Sequence, residues 1–297
     1  MRKVLVSVIL NTYNNEKTIQ KALDSILLQK TDFDFEVLVY DDASTDKTAD
    51  IIKLYAKKYP EVIRPIYQTE NQAQKGVDIK KEYQYGRVQG KYIAVAQADG
   101  YWTSNEKLQM QLDVLEHHPE ISMCAHSSTL LLDKDSKKTK KLVISRKNCV
   151  LTLERILMLK DSLVPINSIM YRADVSEKAG KYREKYPFIY TGVLQAGING
   201  GILYLSRNMS VCLKKSFESE WEEENAVKGY ALLCDMLSEV DEETNFEFAE
   251  LINLHKIEQR FQSLRIQRNY KEMKSKEYKT AFKKLPFKER VKVRFSK

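Results

Sequence analysis

Between residues 4 and 96 this chain repeats one arrangement: a short apolar run, a polar break, then a stretch expected to be helical. The apolar runs are 4–10, 35–40, 62–67 and 91–96. Short, largely non-alternating runs of this kind belong to strands covered on both faces, as in parallel sheets. After the first run, Ile19, Ala22, Leu23, Ile26 and Leu27 fall at i, i+3, i+4, i+7 and i+8. That spacing is the stripe of a helix that buries one face, so 16–29 is read as helix. Residues 46–59 read the same way, with Ile51, Ile52 and Tyr55 inward and Pro60 ending the helix. Residues 77–88 complete the series. Strands and helices in this alternation predict an α/β fold built on a doubly wound, mostly parallel sheet.

The tips of three of these strands carry the polar chemistry. The first ends on Asn11-Thr12-Tyr13-Asn14, the second on Asp41-Asp42, and the fourth on Gln97-Ala98-Asp99-Gly100. Open α/β sheets bind ligands beyond the carboxyl ends of their strands, so the three tips are expected to meet at one crevice. A single Asp after a strand is commonly a turn or cap residue. Asp41 and Asp42 also complement the dipole of the next helix, which Ser44 or Thr45 can cap. Three polar tips at once point instead to a nucleotide and metal site.

Three segments carry a resemblance. Ser7-Val-Ile-Leu-Asn-Thr-Tyr-Asn14, Val39-Tyr-Asp-Asp-Ala-Ser-Thr-Asp46, and 91–102 with the following Asn105-Glu-Lys-Leu-Gln109 stand in the order and spacing of one family. The chain resembles the family-2 inverting glycosyltransferases with the GT-A fold, such as those of bacterial glycan assembly. The likeness is close over 4–125 and looser over 126–215. It implies a nucleotide-diphosphate sugar donor (most often a UDP-sugar), a divalent metal (Mg or Mn), and a glycan or lipid-linked acceptor. By the same resemblance Asp99 is the metal ligand, Asp41 and Asp42 meet the nucleotide base and ribose, and Thr12 and Tyr13 cradle the base. The polar loop 71–76 falls where the family contacts the donor. Lys75 there can neutralise phosphate charge, or the loop is ordinary surface. Residues 1–216 are expected to form the GT-A nucleotide-sugar domain and 217–297 a helical extension.

The chain departs from the family's pattern at three places. Gln97 stands where an acid is usual, and Gly100 where another is common. The family's general base, an Asp at a helix start, should fall near Thr191, yet no Asp or Glu occurs between Glu184 and Glu218. One Asp can still suffice for Mg²⁺, which is often held by one or two carboxylates plus substrate phosphates. The departures leave a second reading open: a relative that binds a nucleotide sugar or a partner protein without catalysing transfer.

Further along, 121–132, 165–172 and 200–211 read as strands, and 105–117 and 152–159 as helices. Asp133 to Lys141 is a lysine-rich hairpin turn. His126, with no ligand-spaced partner, reads as a packed core residue. Helical spacing returns over 218–241 and 243–270. The net charge of +8 lies wholly in residues 271–297, where 11 Lys and Arg face 3 Glu (11 − 3 = +8). Aromatic and aliphatic residues interleave with these cations. The tail suits an anionic membrane surface, or a helix docked on its own protein. Nucleic-acid binding rests on the tail's charge alone, with no recognition motif beside it, and no nucleic-acid partner is expected. Cys124, Cys149, Cys212 and Cys234 are far apart, in no metal-binding pattern, and are expected to be reduced. Without a leader-like start or an 18-residue apolar run, the expected location is cytoplasmic, at most peripheral to the inner membrane face.

Overall fold

The computed structural model describes residues 4–132, 138–159, 164–174, 186, 189–213 and 223–295. Strand β1 (Val4–Thr12) is followed by helix α1 (Ile19–Leu27), β2 (Asp34–Asp41), α2 (Thr48–Lys58) and β3 (Ile63–Tyr67). Then come β4 (Tyr92–Gln97), β5 (Tyr101–Trp102), α3 (Lys107–His117), β6 (Met123–Leu131), β7 (Thr139–Leu142), β8 (Cys149–Leu151), α4 (Leu153–Met158) and β9 (Met170–Arg172). Helix α5 (Ile189–Ile198) and β10 (Ile202–Leu213) complete the sheet region. The sheet runs β3-β2-β1-β4-β9-β6-β10-β5, with β7 beside β6 and β8 beside β10.

The first four strands in this order are parallel, as the alternation predicts. Strand order reverses between β1 and β4, the point at which a doubly wound sheet opens a crevice. Beyond β4 the sheet becomes mixed. β9 pairs antiparallel with both β4 and β6, β6 and β10 are parallel, and β5 returns antiparallel on β10.

Two apolar clusters sandwich the sheet. Val6, Val8 and Leu10 point to one face and pack with Leu23, Ile26 and Leu115. Ile9, Ile93 and Val95 point to the other, against Ile156, Leu194 and Met236. The alternation within β1 and β4 explains why both runs are apolar throughout: each face has its own helices. Gly90, just before β4, has no room for a side chain, since a Cβ would stand 2.6 Å from the backbone nitrogen of Ser7. That closeness lets β4 start flush against β1.

Residues 77–88 are not the expected α-helix. They wind through a π-turn (Lys80–Gln84) and a 3-10 turn (Tyr85–Arg87). Gln84 is the cause. Its buried amide donates to Asn11 Oδ1 at 2.8 Å and to the Leu38 carbonyl at 3.0 Å. A widened turn accommodates that inward side chain, and such turns cluster at functional sites.

The extension is helical: α6 (Glu223–Glu243), α7 (Ala249–Ile266), α8 (Tyr270–Met273), α9 (Lys279–Lys284) and α10 (Phe287–Phe295). α6 and α7 lend Met236, Leu237, Val240 and Ile252 to the sheet's second apolar cluster. The break between α6 and α7 contains no Gly or Pro. It is made by Asn245 and Phe246, which adopt left-handed φ of 51° and 62°. Phe261, Leu264, Met273 and Leu285 form a smaller core of their own, with Val293 of α10 inserted. The turn of the lysine-rich hairpin and the expected start of the first extension helix lie outside the described residues. All four cysteines are free thiols, and His126 is fully buried.

Candidate active site

The register of the parallel strands sets three tips level. Thr12 on β1 pairs with Asp41 on β2, and Asn11 on β1 pairs with Gln97 on β4. Above them opens a cleft of about 390 Å³ whose lining includes Thr12, Tyr13, Asp42, Lys80, Gln97 and Asp99. Of the residues singled out from sequence, Thr12, Tyr13, Asp42 and Asp99 therefore share one cavity. Asp41 and Lys75 are not on its lining.

The turn after β2 shows how the two aspartates divide. Asp42 Oδ1 accepts from the Gln72 amide at 2.7 Å and the Tyr40 hydroxyl at 3.1 Å, while Oδ2 accepts from the Ala73 amide at 3.0 Å. Its own amide donates to the Thr12 carbonyl at 3.0 Å. Asp42 thus ties the tips of β1 and β2 to the loop after β3. A carboxylate offers about four lone-pair sites, so three donors leave one for a ligand. Asp41 instead holds the turn itself, accepting from Ser44 Oγ at 2.5 Å and Ser44 N at 3.3 Å. Burial raises its pKa above the usual carboxylate range, and the Ser44 bonds partly offset this. Between Asp42 and Ser44, Ala43 sits at a left-handed φ of 62°, a conformation that costs a non-glycine residue energy and is concentrated at ligand-binding turns.

The tip of β1 is fixed from the side. Asn15 Oδ1 accepts from the Thr12 hydroxyl at 2.9 Å and the Tyr13 amide at 3.2 Å. Asn14, also at left-handed φ (51°), accepts from the Thr45 amide at 2.8 Å. The Tyr13 ring is left 41 % exposed at the cleft edge, available for stacking.

Asp99 stands in the loop between β4 and β5. Its charge reaches the Cys212 thiol on β10, whose pKa is pushed up to about 12, chiefly by burial. The loop is held by Asn167, which lies in the 3-10 turn before β9. Asn167 Oδ1 accepts from the Gln97 amide at 3.3 Å and from Trp102 Nε1 at 3.0 Å, and Nδ2 donates to the Val211 carbonyl at 3.2 Å. Gly100 lies against this group: a Cβ there would meet Val211 O at 2.6 Å and Asn167 Nδ2 at 2.7 Å. An acid at position 100 has no space.

Lys75 pairs with Glu70 on the surface. Among the described residues, the cation on the cleft lining is Lys80, carried on the π-turn. Sequence reading missed it because Lys75 and Lys80 are indistinguishable until the turn geometry is known. Thr191, where the family's base falls, is 2 % exposed; its hydroxyl donates to the Tyr186 carbonyl at 2.8 Å and lies 3.2 Å from Met236 Sδ. It is a packed residue of α5 with no acid–base character.

Among the described residues no group of three or more His, Cys, Asp or Glu side chains is placed to hold a metal ion. The lining does offer two hard oxygen donors, the Asp99 carboxylate and the Gln97 amide oxygen. That set fits Mg²⁺ or Mn²⁺ whose remaining positions are filled by phosphate and water.

Known proteins resemble this chain in sequence and fold. An uncharacterized protein of Mycobacterium tuberculosis strain H37Rv is 33% identical over 171 residues, 58% of this chain and 48% of that protein. The chain thus spans about half the length of this relative. Among solved structures, S. aureus TarS 1-349 in complex with UDP superposes with a TM-score of 0.62 at 19% identity, covering 97% of this chain and 78% of that one. The mannosyltransferase PcManGT from Pyrobaculum calidifontis, in complex with GDP-Man and Mn2+, gives a TM-score of 0.57 at 15% identity, covering 93% and 77%. These likenesses establish the fold as GT-A. Residues 7–179, more than half of the chain, match the model for glycosyl transferase family 2, and the chain belongs to that family.

Proposed function

We propose that the protein is an inverting glycosyltransferase that moves a sugar from a nucleotide-diphosphate sugar, a UDP-sugar above all, to a glycan or lipid-linked acceptor. The observation that carries this reading is the single cleft at the reversal of strand order, lined by Thr12, Tyr13 and Asp42 on one side and Asp99 on the other. Uracil and ribose fit the first side: Tyr13 offers a ring face, and Asp42 an acceptor for an N–H or hydroxyl. Asp41 keeps that acceptor in place by holding the Ser44 turn. The diphosphate falls toward Asp99, where a divalent cation held with Gln97 would neutralise the leaving group. Lys80 adds positive charge from the opposite wall, in the role the sequence had suggested for Lys75.

The acceptor reading draws support from the extension. α10 docks through Val293, which is 3 % exposed, yet turns a second apolar stripe outward. Phe287, Val291 and Phe295 stand at i, i+4 and i+8 and are 73 %, 37 % and 82 % exposed. Residues 279–295 hold seven Lys or Arg and one Glu (7 − 1 = +6). An apolar stripe among cations fits an anionic bilayer surface, where lipid-linked acceptors reside. Among the described residues no helix is long and apolar enough to cross a membrane. The stripe of α10 supports peripheral attachment, which we propose is at the cytoplasmic face.

Packed Thr191 favours a second reading, a relative that binds donor without transferring it. Incubation with UDP- and GDP-sugars and Mn²⁺ separates the two. Release of nucleoside diphosphate, abolished by Asp99→Ala, supports the transferase. No release with any donor overturns it.

A further inference from the structure

We infer that Asn167 is a positioning residue for Asp99: its amide holds the loop from Gln97 to Trp102 in the shape that presents the one carboxylate of that loop to the cleft. The inference rests on the donor-site reading above.

Asn167 is 1 % exposed and serves three separate elements. Oδ1 takes the Gln97 amide at the end of β4 and the Trp102 indole N–H on β5. Nδ2 gives its hydrogen to Val211 on β10. Two donors face the oxygen and a carbonyl faces the nitrogen, so the amide has only one orientation that satisfies its partners. The contacts enclose the loop at both ends, with Asp99 between them. Inside the loop the Gly100 amide closes a turn on the Gln97 carbonyl at 3.2 Å. At its far end the two residues of β5 pair with β10, and the Trp102 amide donates to Ser25 Oγ at 3.0 Å. That leaves Asn167, among the described residues, as the side chain that ties both ends together. Gly100 is pressed between Asn167 and Val211, so the loop cannot move toward β10 without displacing the amide.

The consequence follows from the number of carboxylates. Where two or three acids surround a cation, misplacing one leaves the others. Here position 97 is an amide and position 100 has no side chain, so the cation's affinity depends on where Asp99 stands. Groups that orient a metal ligand typically change metal affinity about 10- to 100-fold when removed. The bonds of Asn167 run to two main-chain groups and an indole, so the lower end of that range applies.

The test is calorimetric titration of UDP over a series of Mn²⁺ concentrations and in EDTA, for wild type, Asn167→Ala and Trp102→Phe. The expected result is an approximately tenfold rise in the Mn²⁺ needed for half-maximal UDP binding in Asn167→Ala, with UDP affinity in EDTA unchanged. Trp102→Phe removes one of the three bonds and keeps a ring, so it should shift the Mn²⁺ requirement the same way by less. It also keeps the question answerable if Asn167→Ala fails to fold. A folded Asn167→Ala with a lower melting temperature and an unchanged Mn²⁺ requirement reduces Asn167 to a structural role and overturns the inference. Equal loss with and without Mn²⁺ also overturns it, because the whole cleft would then depend on the amide. Wild type that binds UDP without regard to Mn²⁺ removes the donor-site reading and this inference together, an outcome distinct from failure of the variants alone.

Discussion

The side-chain nitrogen of Asn167 lies 2.7 Å from the place a Cβ would occupy on residue 100, so the glycine at that position is dictated by its neighbour. The absence of a side chain there lets the Asp99 loop approach β10 closely. At position 97 the situation differs, because Gln97 lines the open cleft. Two substitutions that both restore a family acid should therefore act in opposite ways. Gly100→Asp is expected to destabilise the fold by about 1–3 kcal/mol through overpacking, with no gain in metal affinity. Gln97→Asp is expected to strengthen Mn²⁺ binding while leaving the melting temperature near that of wild type. Thermal denaturation and Mn²⁺ titration of each variant check the pair.

Asp42 is both an anchor and a cleft residue. Asp42→Ala leaves the Gln72 and Ala73 amides and the Tyr40 hydroxyl without their acceptor. Stranding the buried Tyr40 hydroxyl costs about 1–3 kcal/mol, and the two part-buried amides, which water can reach, add less. Chemical denaturation should show that loss, and UDP affinity should fall with it. Asp41→Asn, which keeps an oxygen for Ser44, should be milder on both measures.

Lys107 makes stability depend on pH. Its ammonium is fully buried, lies 4.0 Å over the Trp102 ring, and has no hydrogen-bond partner among the described residues. Burial lowers its pKa from 10.5 to about 7. In the folded protein its buried neighbours do not titrate in that interval: burial pushes the Cys124 thiol up to about 12 and holds His126 well below its usual range. Between pH 7 and pH 10.5 the unfolded chain keeps a proton at Lys107 that the folded protein has released, so the Lys107 contribution favours folding as pH rises. Cys124, which ionises there only in the unfolded chain, opposes it at the upper end. Below pH 7 both states carry the Lys107 charge and its contribution flattens. Melting temperatures measured from about pH 7 to pH 10 should rise for wild type relative to Lys107→Met, in which this contribution is absent.

The parts of this architecture that were legible in the sequence are those with a period. β1, β2 and β4 announced themselves as apolar runs because they are covered on both faces, the edge strand β3 less so because it is only partly buried, and α1 and α2 by their inward stripes. The acidic tips could be placed together because parallel strands all end on one edge. Farther along the signal weakens. β6 and β9 fall within the stretches 121–132 and 165–172 that read as strands, and β10 largely within 200–211. Nothing in them showed that β9 runs antiparallel to both β4 and β6, or that the two-residue β5 returns on β10. The segment 77–88 looked helical until Gln84 was seen to reach Asn11 and Leu38, contacts 73 and 46 residues away. Asn167 gave no sign either: within the stretch 165–172, read as a strand, one polar residue carries no mark of three distant partners. The break at Asn245 and Phe246 carries no Gly or Pro to mark it.

The outward stripe of α10 predicts lipid binding that needs no donor. Vesicles containing anionic lipid should sediment the protein, whereas neutral phosphatidylcholine vesicles should not, and added salt should weaken the association. Replacing Phe287 and Phe295 together with Ser should abolish sedimentation. Both side chains are largely solvent-exposed, so the melting temperature should hold. Sedimentation that survives the double substitution would contradict a role for the stripe.

The most direct test of the account is calorimetric titration of UDP into wild type and Asp99→Ala, each with and without Mn²⁺. The cleft, with one carboxylate beside Gln97 and a base-binding edge at Thr12, Tyr13 and Asp42, predicts metal-enhanced binding in wild type. In Asp99→Ala the enhancement should vanish, leaving only a weak metal-independent component. Binding of equal strength in both proteins, with or without Mn²⁺, would contradict the assignment of Asp99 as the residue that holds the metal and the donor diphosphate.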